Sequence, residues 1–370
     1  MDHSSWLVPA LGLGLFMTRL VPWRDLVRKK LPYRKQSEQS EQSELGAWPR
    51  VSVIVPARNE EANLPRLLAS LAVLDYPDYE IIIVDDRSTD STAAIAAKFE
   101  RVRLVTGVDR PGDQRWGGKQ WACHQGAAVA TGEILLFTDA DTEHSADSVR
   151  RAVVQLVGSG AGLLSALPYH ANPQLWEQLL GPFQLLIIAL TAPFAPPRPR
   201  RLFVIGQYLM FRREAYLAIG GHEAVAGDFA EDLPLANLMV EKGYKIHVYR
   251  GPNLFSVRMY ATLAEFIRGW RRNFRSGFIY ASPLAGLWAT LMIIGITGGM
   301  RADLGGAVVM GVAGLFIAWR QQTLGRFRLV GAWLWPVSIG LFTWATLLAV
   351  YDLVLKRDMV WKGRAYQSRS

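Results

Sequence analysis

The residues of this chain best suited to chemistry are carboxylates that follow uninterrupted apolar runs: Asp85 and Asp86 after IIIV, and Asp139 and Asp141 after ILLFT. An acidic residue placed directly after a buried-strand pattern does little for solubility. A single one is ordinarily a helix N-cap or an Asx turn, and that reading serves Asp90 and Asp147. Two clusters require more. In an Asp-Ala-Asp turn, alternate residues can present oxygens to one side, and carboxylates that close repel unless a proton or a cation lies between them. The cation suited to an all-oxygen site shared with substrate phosphates is hard and divalent, Mg2+ or Mn2+. The sequence has no HExxH and no cluster of histidines, so zinc chemistry has little support.

A phosphate-bearing substrate also needs cations and free backbone N–H groups. RWGGKQ, from Arg115 to Gln120, supplies two glycines and Lys119 just ahead of a helical pattern. That suits anion capture at a helix N-terminus, or a plain loop. It is neither GxxxxGK[ST] nor GxGxxG, and a P-loop reading fails.

These residues must be positioned by the elements around them. Between Arg50 and Pro252, short β-branched runs alternate with amphipathic stretches, which predicts a layered α/β domain with a mainly parallel sheet. VSVIVPA, EIIIVDD, RVRLVTG and EILLFTDAD, the last from Glu133 to Asp141, read as strands. Asn63 to Leu74, Ser91 to Phe99 and Gln120 to Ala130 read as helices. Open α/β sheets bind ligands beyond the carboxyl ends of their strands, and the polar clusters fall there.

The chain has 370 residues, with 41 Lys plus Arg against 32 Asp plus Glu, a formal charge of +9, and is 50% hydrophobic. At roughly 100 to 200 residues per domain this length allows about two units. The 20% charged fraction argues against disorder and, together with the apolar excess, against an ordinary soluble enzyme. Cys123 is the only cysteine, which excludes an intramolecular disulfide framework or a CxxC zinc site and fits a reducing compartment.

The apolar excess lies in Trp6 to Trp23 and Pro283 to Leu355. The first stretch is near the minimum of about 17 to 20 residues for a crossing, and it contains Arg19. It lacks a basic n-region and a small-residue cleavage site, so a signal peptide is not expected; a retained anchor is favoured over a helix lying in the interface. Arg24, Arg28, Lys29, Lys30, Arg34 and Lys35 then place the following segment in the cytoplasm. QSEQSEQSE, Gln36 to Glu44, reads as a solvated tether. Pro283 to Met300, Leu304 to Trp319 and Leu329 to Leu355 are further span candidates, with Arg320, Arg326 and Arg328 marking a cytoplasmic connection. Three full crossings would put the basic tail outside. Either the last run folds as a hairpin near Trp335 and Pro336 or an earlier segment is only interfacial, and a cytoplasmic tail is expected. The expected organisation is a membrane anchor (1–24), a basic and polar linker (25–49), the α/β domain (50–280) with interfacial segments near 175–201 and 262–280, a transmembrane region (281–356) and a basic tail (357–370).

Taken together and in order, VSVIVPARNEE, IIIVDDRSTDST, LLFTDADT and AEDLPLA resemble the pattern of glycosyltransferase family 2. RWGGKQWACHQGA and GQYLMFRREAYLAIGGHEAV are similar to bacterial membrane enzymes of the carotenoid- and hopanoid-associated kind. The resemblance implies a GT-A (Rossmann-like) fold binding a nucleotide-diphosphate sugar, with a UDP-sugar expected, a divalent ion, and inversion at the anomeric carbon. It implies that Pro56, Ala57, Arg58 and Glu60 line the nucleotide pocket and that Asp86 contacts the base or ribose. Lys119 would stand near the nucleotide or diphosphate, Asp139 at the ribose and metal, and Asp141 as the principal metal ligand. Of the catalytic pair Glu231 and Asp232, the second matches the family's general base; the alternative is that both cap the helix LPLANLMVEKG. The Q-x-x-R-W element of processive synthases has only a loose counterpart in GWRRNFR, Gly269 to Arg275. Arg258, Arg268, Arg271, Arg272 and Arg275 either hold diphosphate or mark the membrane surface. Trp270, Arg271, Arg272 and His222 are the candidates for acceptor or diphosphate contacts, and His222 equally suits a loop role. PFAPPRPRR at Pro193 to Arg201, preceded by LLGPFQLLIIAL, suits an interfacial helix beside an acceptor entrance.

The resulting expectation is a multi-pass enzyme of the inner (cytoplasmic) membrane with its catalytic domain facing the cytoplasm. It would move a hexose, expected to be glucose, to a hydroxyl of a lipid acceptor such as a carotenoid, hopanoid or glycerolipid. The enzymatic alternative is a processive synthase of a surface polysaccharide, and the alternative of another class is a non-catalytic scaffold or transport component. Nucleic acid is not an expected partner, because the basic residues cluster beside apolar spans instead of interleaving with exposed aromatics.

Overall fold

The computed structural model describes residues 7–20, 47–111, 116–171, 174–191, 203–228, 231–249, 254–280, 297, 303–355, 359–361 and 364–366. The chain divides into an α/β unit (35–169, 196–259 and 358–370) and a helical unit (1–34, 170–195 and 260–357). Most of the stretches near 175–201 and 262–280 therefore group with the apolar helices.

In the α/β unit, the strands that frame the site are β1 (Val51–Ala57), β2 (Tyr79–Asp85), β3 (Val102–Thr106), β4 (Ile134–Thr138), β5 (Thr142–His144), β6 (Leu163–Ala166), β7 (Tyr208–Arg212), β8 (Ile246–Tyr249) and β9 (Phe255–Val257). The helices are α1 (Leu64–Ala72), α2 (Thr92–Ala96), α3 (Gly118–Val129), α4 (Ser148–Gly158), α5 (Arg213–Ala218) and α6 (Asp232–Glu241). The main sheet runs β3-β2-β1-β4-β7-β6-β8. β1 pairs in parallel with β2 and β4, β2 with β3, and β6 with β8. The departure from the expected parallel pattern is β7, which is antiparallel to both β4 and β6.

β1 is buried along nearly its whole length, as a central strand covered on both faces must be. In α1, Leu64, Leu67, Leu68 and Leu71 recur at helical spacing and are all buried. Truncating one of them to alanine would cost about 2 to 5 kcal/mol. On the other side, α3 approaches so closely that a Cβ on Gly126 would come within 2.5 Å of the Ile54 side chain. Because the chain leaves β1 toward β2 and returns on its other flank at β4, the carboxyl ends of β1 and β4 border a topological switch point, where open sheets bind ligands. Ala57 is in register with Asp85, which aligns the ends of β1 and β2.

β4 ends earlier than the sequence pattern predicts. Its ladder stops at Thr138, and Asp139 to Asp141 form a turn closed by Thr142 N–H donating to the Asp139 carbonyl at 3.3 Å. The chain then continues as β5, paired antiparallel with β9.

In the helical unit, Leu304–Gln321 and Trp335–Val354 are long and apolar enough to cross a membrane by length and composition. The hairpin considered near Trp335 and Pro336 does not form. A short helix, Leu329–Trp333, meets Trp335–Val354 at Leu334, and Pro336 lies in the first turn of the longer helix. A first-turn proline lacks an N–H that has no intrahelical partner anyway, so it starts this helix instead of breaking it. The amphipathic helix Leu263–Tyr280 packs against Trp335–Val354 through Phe274 and Phe342, with ring centroids 4.9 Å apart, and through an Arg271–Asp352 ion pair. The basic run after Trp23, the QSE repeat, the segment Pro193 to Arg201 and all of Pro283 to Met300 except Thr297 lie outside the described residues.

Candidate active site

The loops after β1 and β2 are laced to each other. Asn59 N–H donates to Ser88 Oγ at 3.0 Å, Thr89 N–H to Asn59 Oδ1 at 2.8 Å, and Glu60 N–H to Thr92 Oγ1 at 2.8 Å. Asn59 and Arg87 both take left-handed backbone angles, φ 53° and 58°. Strain of this kind persists where surrounding bonds over-determine the loop. Arg58 Nη1 donates to the Asp86 carbonyl at 2.6 Å and lies 3.7 Å from its carboxylate, which is buried. Pro56 and Ala57, the last residues of β1, lead into this loop pair. Asp90 forms the expected Asx turn, accepting from Thr92 N–H at 3.0 Å. Asp147 occupies the N-cap position of α4, but its side chain pairs with Arg151 at 2.9 Å instead of capping.

Lys119, in the first turn of α3, draws distant carboxylates together. Its Nζ lies 2.7 Å from Asp139 Oδ1 and 2.8 Å from Glu231 Oε1. The preceding N-terminus is closed by Gln120, whose Oε1 accepts from Gly117 N–H at 3.0 Å. Arg115 lies outside the described residues. Glu231 holds the N-cap position of α6 without a side-chain bond to that helix. Asp232 does satisfy one first-turn donor, Leu233 N–H at 2.8 Å, while its other oxygen accepts from Gly206 N–H at 3.0 Å. The capping alternative therefore describes half of Asp232 and none of the Glu231 side chain.

Burial would lower the Lys119 ammonium, but Asp139 and Glu231 outweigh it and hold the pKa well above the usual value. Burial would likewise raise Glu231, and Lys119 holds it below the ordinary carboxylate range. Asp139 is raised by burial despite Lys119. Burial, then the charges of Asp139 and Glu60, push Asp141 up to about 8. Burial and Glu231 push Asp232 up to about 6.

Asp141 Oδ1 is buried with no hydrogen-bond partner among the described residues. An orphaned carboxylate oxygen close enough to Asp139 to feel its charge fits a hard divalent cation. Among the described residues no group of three or more His, Cys, Asp or Glu converges on such an ion. Asp139 and Asp141 would thus leave most of its coordination shell to water and substrate oxygens, as is usual for Mg2+.

Other candidates are placed differently. His222 is 1% exposed, with Nδ1 2.8 Å from the Tyr216 hydroxyl and its ring edge-on to Phe137 at 4.7 Å. It is packed in the core, near enough to Glu231 and Lys119 to feel their charges. Trp270, Arg271 and Arg272 belong to helix Leu263–Tyr280 of the helical unit, where Arg271 is paired with Asp352.

Sequence reasoning missed Gly206. A Cβ there would lie 3.1 Å from Asp232 Oδ2, so only glycine admits the carboxylate at this distance without displacement. No local signal marks it, because its partner is far along the chain. It missed equally Thr138, Thr142 and His144, buried beneath the Asp139–Asp141 turn.

Residues 52–220 match the family model described as Glycosyl transferase family 2. The chain is 31% identical over 251 residues to the 4,4'-diaponeurosporenoate glycosyltransferase of Staphylococcus haemolyticus (strain JCSC1435), an alignment spanning 66% of each protein. It is 27% identical over 335 residues to the enzyme of the same name from Staphylococcus aureus (strain USA300), spanning 85% of this chain and 88% of that one. In fold it is similar to a mannosyltransferase from Pyrobaculum calidifontis solved with GDP-Man and Mn2+, at a TM-score of 0.53 and 19% identity over 94% of this chain and 99% of the other.

Proposed function

Because the chain belongs to glycosyl transferase family 2, we propose that it moves a hexose, glucose by preference, from a nucleotide-diphosphate donor to a hydroxyl of a carotenoid-like lipid, with inversion at the anomeric carbon. The observation that carries this reading is the convergence of Asp139, Lys119 and Glu231, with Asp232 adjacent, at the carboxyl end of the sheet.

Arg58, Glu60 and Asp86 belong to the loop pair where the nucleoside would be held. A Mg2+ or Mn2+ ion held by Asp141 and Asp139 would supply Lewis-acid stabilisation of the departing diphosphate, on the order of several kcal/mol. Lys119 favours the ionised form of Glu231 in a buried setting and offsets part of the burial that raises Asp139. Asp232, fixed by Gly206 and Leu233, takes the acceptor proton as the oxygen attacks the face opposite the leaving group, a contribution of about 10²- to 10⁴-fold. Its pKa of about 6 leaves it ionised at neutral pH yet basic enough to accept. Single displacement from that face inverts the anomeric carbon.

An apolar acceptor requires access from a bilayer. Helices Leu304–Gln321 and Trp335–Val354, with Leu304, Leu315, Trp319, Trp344 and Val354 exposed, support membrane association. The basic residues following Trp23 favour a cytoplasmic catalytic domain in the inner membrane.

A second reading has its own support. The Staphylococcus relatives are named for an -oate, an acceptor whose ionised oxygen has no proton to remove. Mass spectrometry of lipid extracts from cells with and without the protein, with Asp232→Asn as control, tests both. A lipid one hexose heavier, dependent on Asp232 and stable to mild alkali, is expected for transfer to a hydroxyl. An alkali-labile product formed independently of Asp232 points to a carboxylate acceptor. Unchanged lipids with a lost or shortened surface polysaccharide would overturn the lipid reading.

A further inference from the structure

A buried set of side chains under the Asp139–Asp141 turn connects it to the segment that holds Asp232. Thr138 Oγ1 lies 2.9 Å from the Gln207 carbonyl, 3.0 Å from His144 Nε2 and 3.1 Å from Thr142 Oγ1. A carbonyl can only accept, so the one Thr138 proton goes to Gln207, and His144 donates to the Thr138 oxygen from Nε2. Its Nδ1 then accepts from the Ser148 hydroxyl, 3.4 Å away. Burial holds the His144 pKa near 3, which keeps the ring neutral with one donor and one acceptor nitrogen.

Thr142 Oγ1 donates its own proton to the Asp139 carbonyl at 2.7 Å, and His144 N–H is anchored to Ser70 Oγ on α1 at 3.0 Å. On the far side, Gln207 follows Gly206, the donor to Asp232 Oδ2. Ser165 on β6 accepts from the adjoining Ile205 N–H at 2.8 Å. Where the β4–β7 ladder stops at Thr138 and Tyr208, side chains thus continue the connection between the two ends.

We propose that Thr138 and His144 are positioning residues that set the separation between the donor-side carboxylates, Asp139 and Asp141, and the base Asp232. This rests on the reading of Asp232 as the base. Neither residue touches substrate. Thr138 holds the Gly206–Gln207 segment against the end of β4, and His144 orients the Thr138 hydroxyl by occupying its lone pair. Displacement of this segment moves Asp232 relative to the sugar without altering any nucleotide contact, so the effect belongs in kcat and not in donor affinity.

The test measures transfer kinetics and donor affinity for the full-length protein in detergent, comparing wild type with Thr138→Val, Thr138→Ser and Asp232→Asn. Valine keeps the shape but removes the hydroxyl, whereas serine keeps the hydroxyl. Expected is a kcat loss of about 10- to 100-fold in Thr138→Val, with donor affinity close to wild type, a melting temperature lowered by the unpaired Gln207 carbonyl and His144 N–H, and most of the activity restored by serine. His144→Gln, whose amide can donate in place of Nε2, should retain more activity than His144→Leu, and this pair decides the matter if Thr138→Val does not fold. Unchanged kcat in Thr138→Val beside an inactive Asp232→Asn would overturn the proposal, as would equal losses in the valine and serine variants. Full transfer by Asp232→Asn would instead refute the base assignment beneath it.

Discussion

Lys119→Met is the most informative single perturbation of the site. Methionine keeps an unbranched stem but removes the charge that stands 2.7 Å from Asp139 and 2.8 Å from Glu231. Removing one partner of a buried hydrogen-bonded pair costs about 3 to 5 kcal/mol. With 25% of the Lys119 side chain exposed, the lower end of that range applies. The two carboxylates can escape part of the cost by binding protons, but a protonated Asp139 is a poorer ligand for a divalent ion and no longer accepts as a carboxylate does. If about 3 kcal/mol falls on the transition state, kcat/KM drops about 100-fold, at 1.36 kcal/mol per factor of ten. Initial rates of hexose transfer in detergent, across a pH series, would measure it. Because the loss arises from proton uptake, raising the pH should recover part of it. Lys119→Arg should not restore activity, since a planar guanidinium fork does not replace a point charge between two oxygens. Wild-type kcat/KM in Lys119→Met, or a loss independent of pH, would refute the reasoning.

For Asp232, with a pKa near 6, kcat/KM should fall on the acid side of that value, approaching tenfold per pH unit, as a pH–rate profile would register. Asp141→Asn should abolish metal-dependent donor turnover yet stabilise the fold. A carboxylate whose folded pKa is raised to about 8 destabilises progressively as pH climbs from its ordinary value toward 8. Thermal melts without divalent ion should therefore show Asp141→Asn above wild type at pH near 8 and level with it near pH 4, with Mg2+ or Mn2+ narrowing the gap by stabilising wild type. Gly206→Ala places a Cβ 3.1 Å from Asp232 Oδ2, so the carboxylate must shift by a few tenths of an ångström. Loss of kcat by about tenfold with unchanged donor binding by titration calorimetry is the expected result.

Much of the scaffold was legible because its signals are local. Buried apolar runs, β-branched in β1 and β2, mark β1, β2 and β4 whatever they pair with, and Asp85, Asp86, Asp139 and Asp141 end or follow those strands. Strand pairing was less legible, since an antiparallel β7 between β4 and β6 has the same apolar pattern as a parallel strand would. His222 illustrates a further limit: a histidine in a glycine-rich stretch gives no local sign of the Tyr216 and Phe137 rings that pack around it. At Trp335 and Pro336 a proline in an apolar run served equally for a hairpin or a helix start, and the neighbouring backbone decided.

By itself, the sequence determined the class of fold, the carboxylates at its strand ends and the family pattern, because each depends on residues adjacent in the chain. The tertiary structure decided that Lys119 bridges Asp139 and Glu231, that Gly206 holds Asp232, and that Asp141 retains a buried oxygen without a partner among the described residues. Those are through-space facts. Electrostatic pairing and desolvation depend on distances of a few ångströms, and here sheet order and loop path set them between residues far apart in the chain.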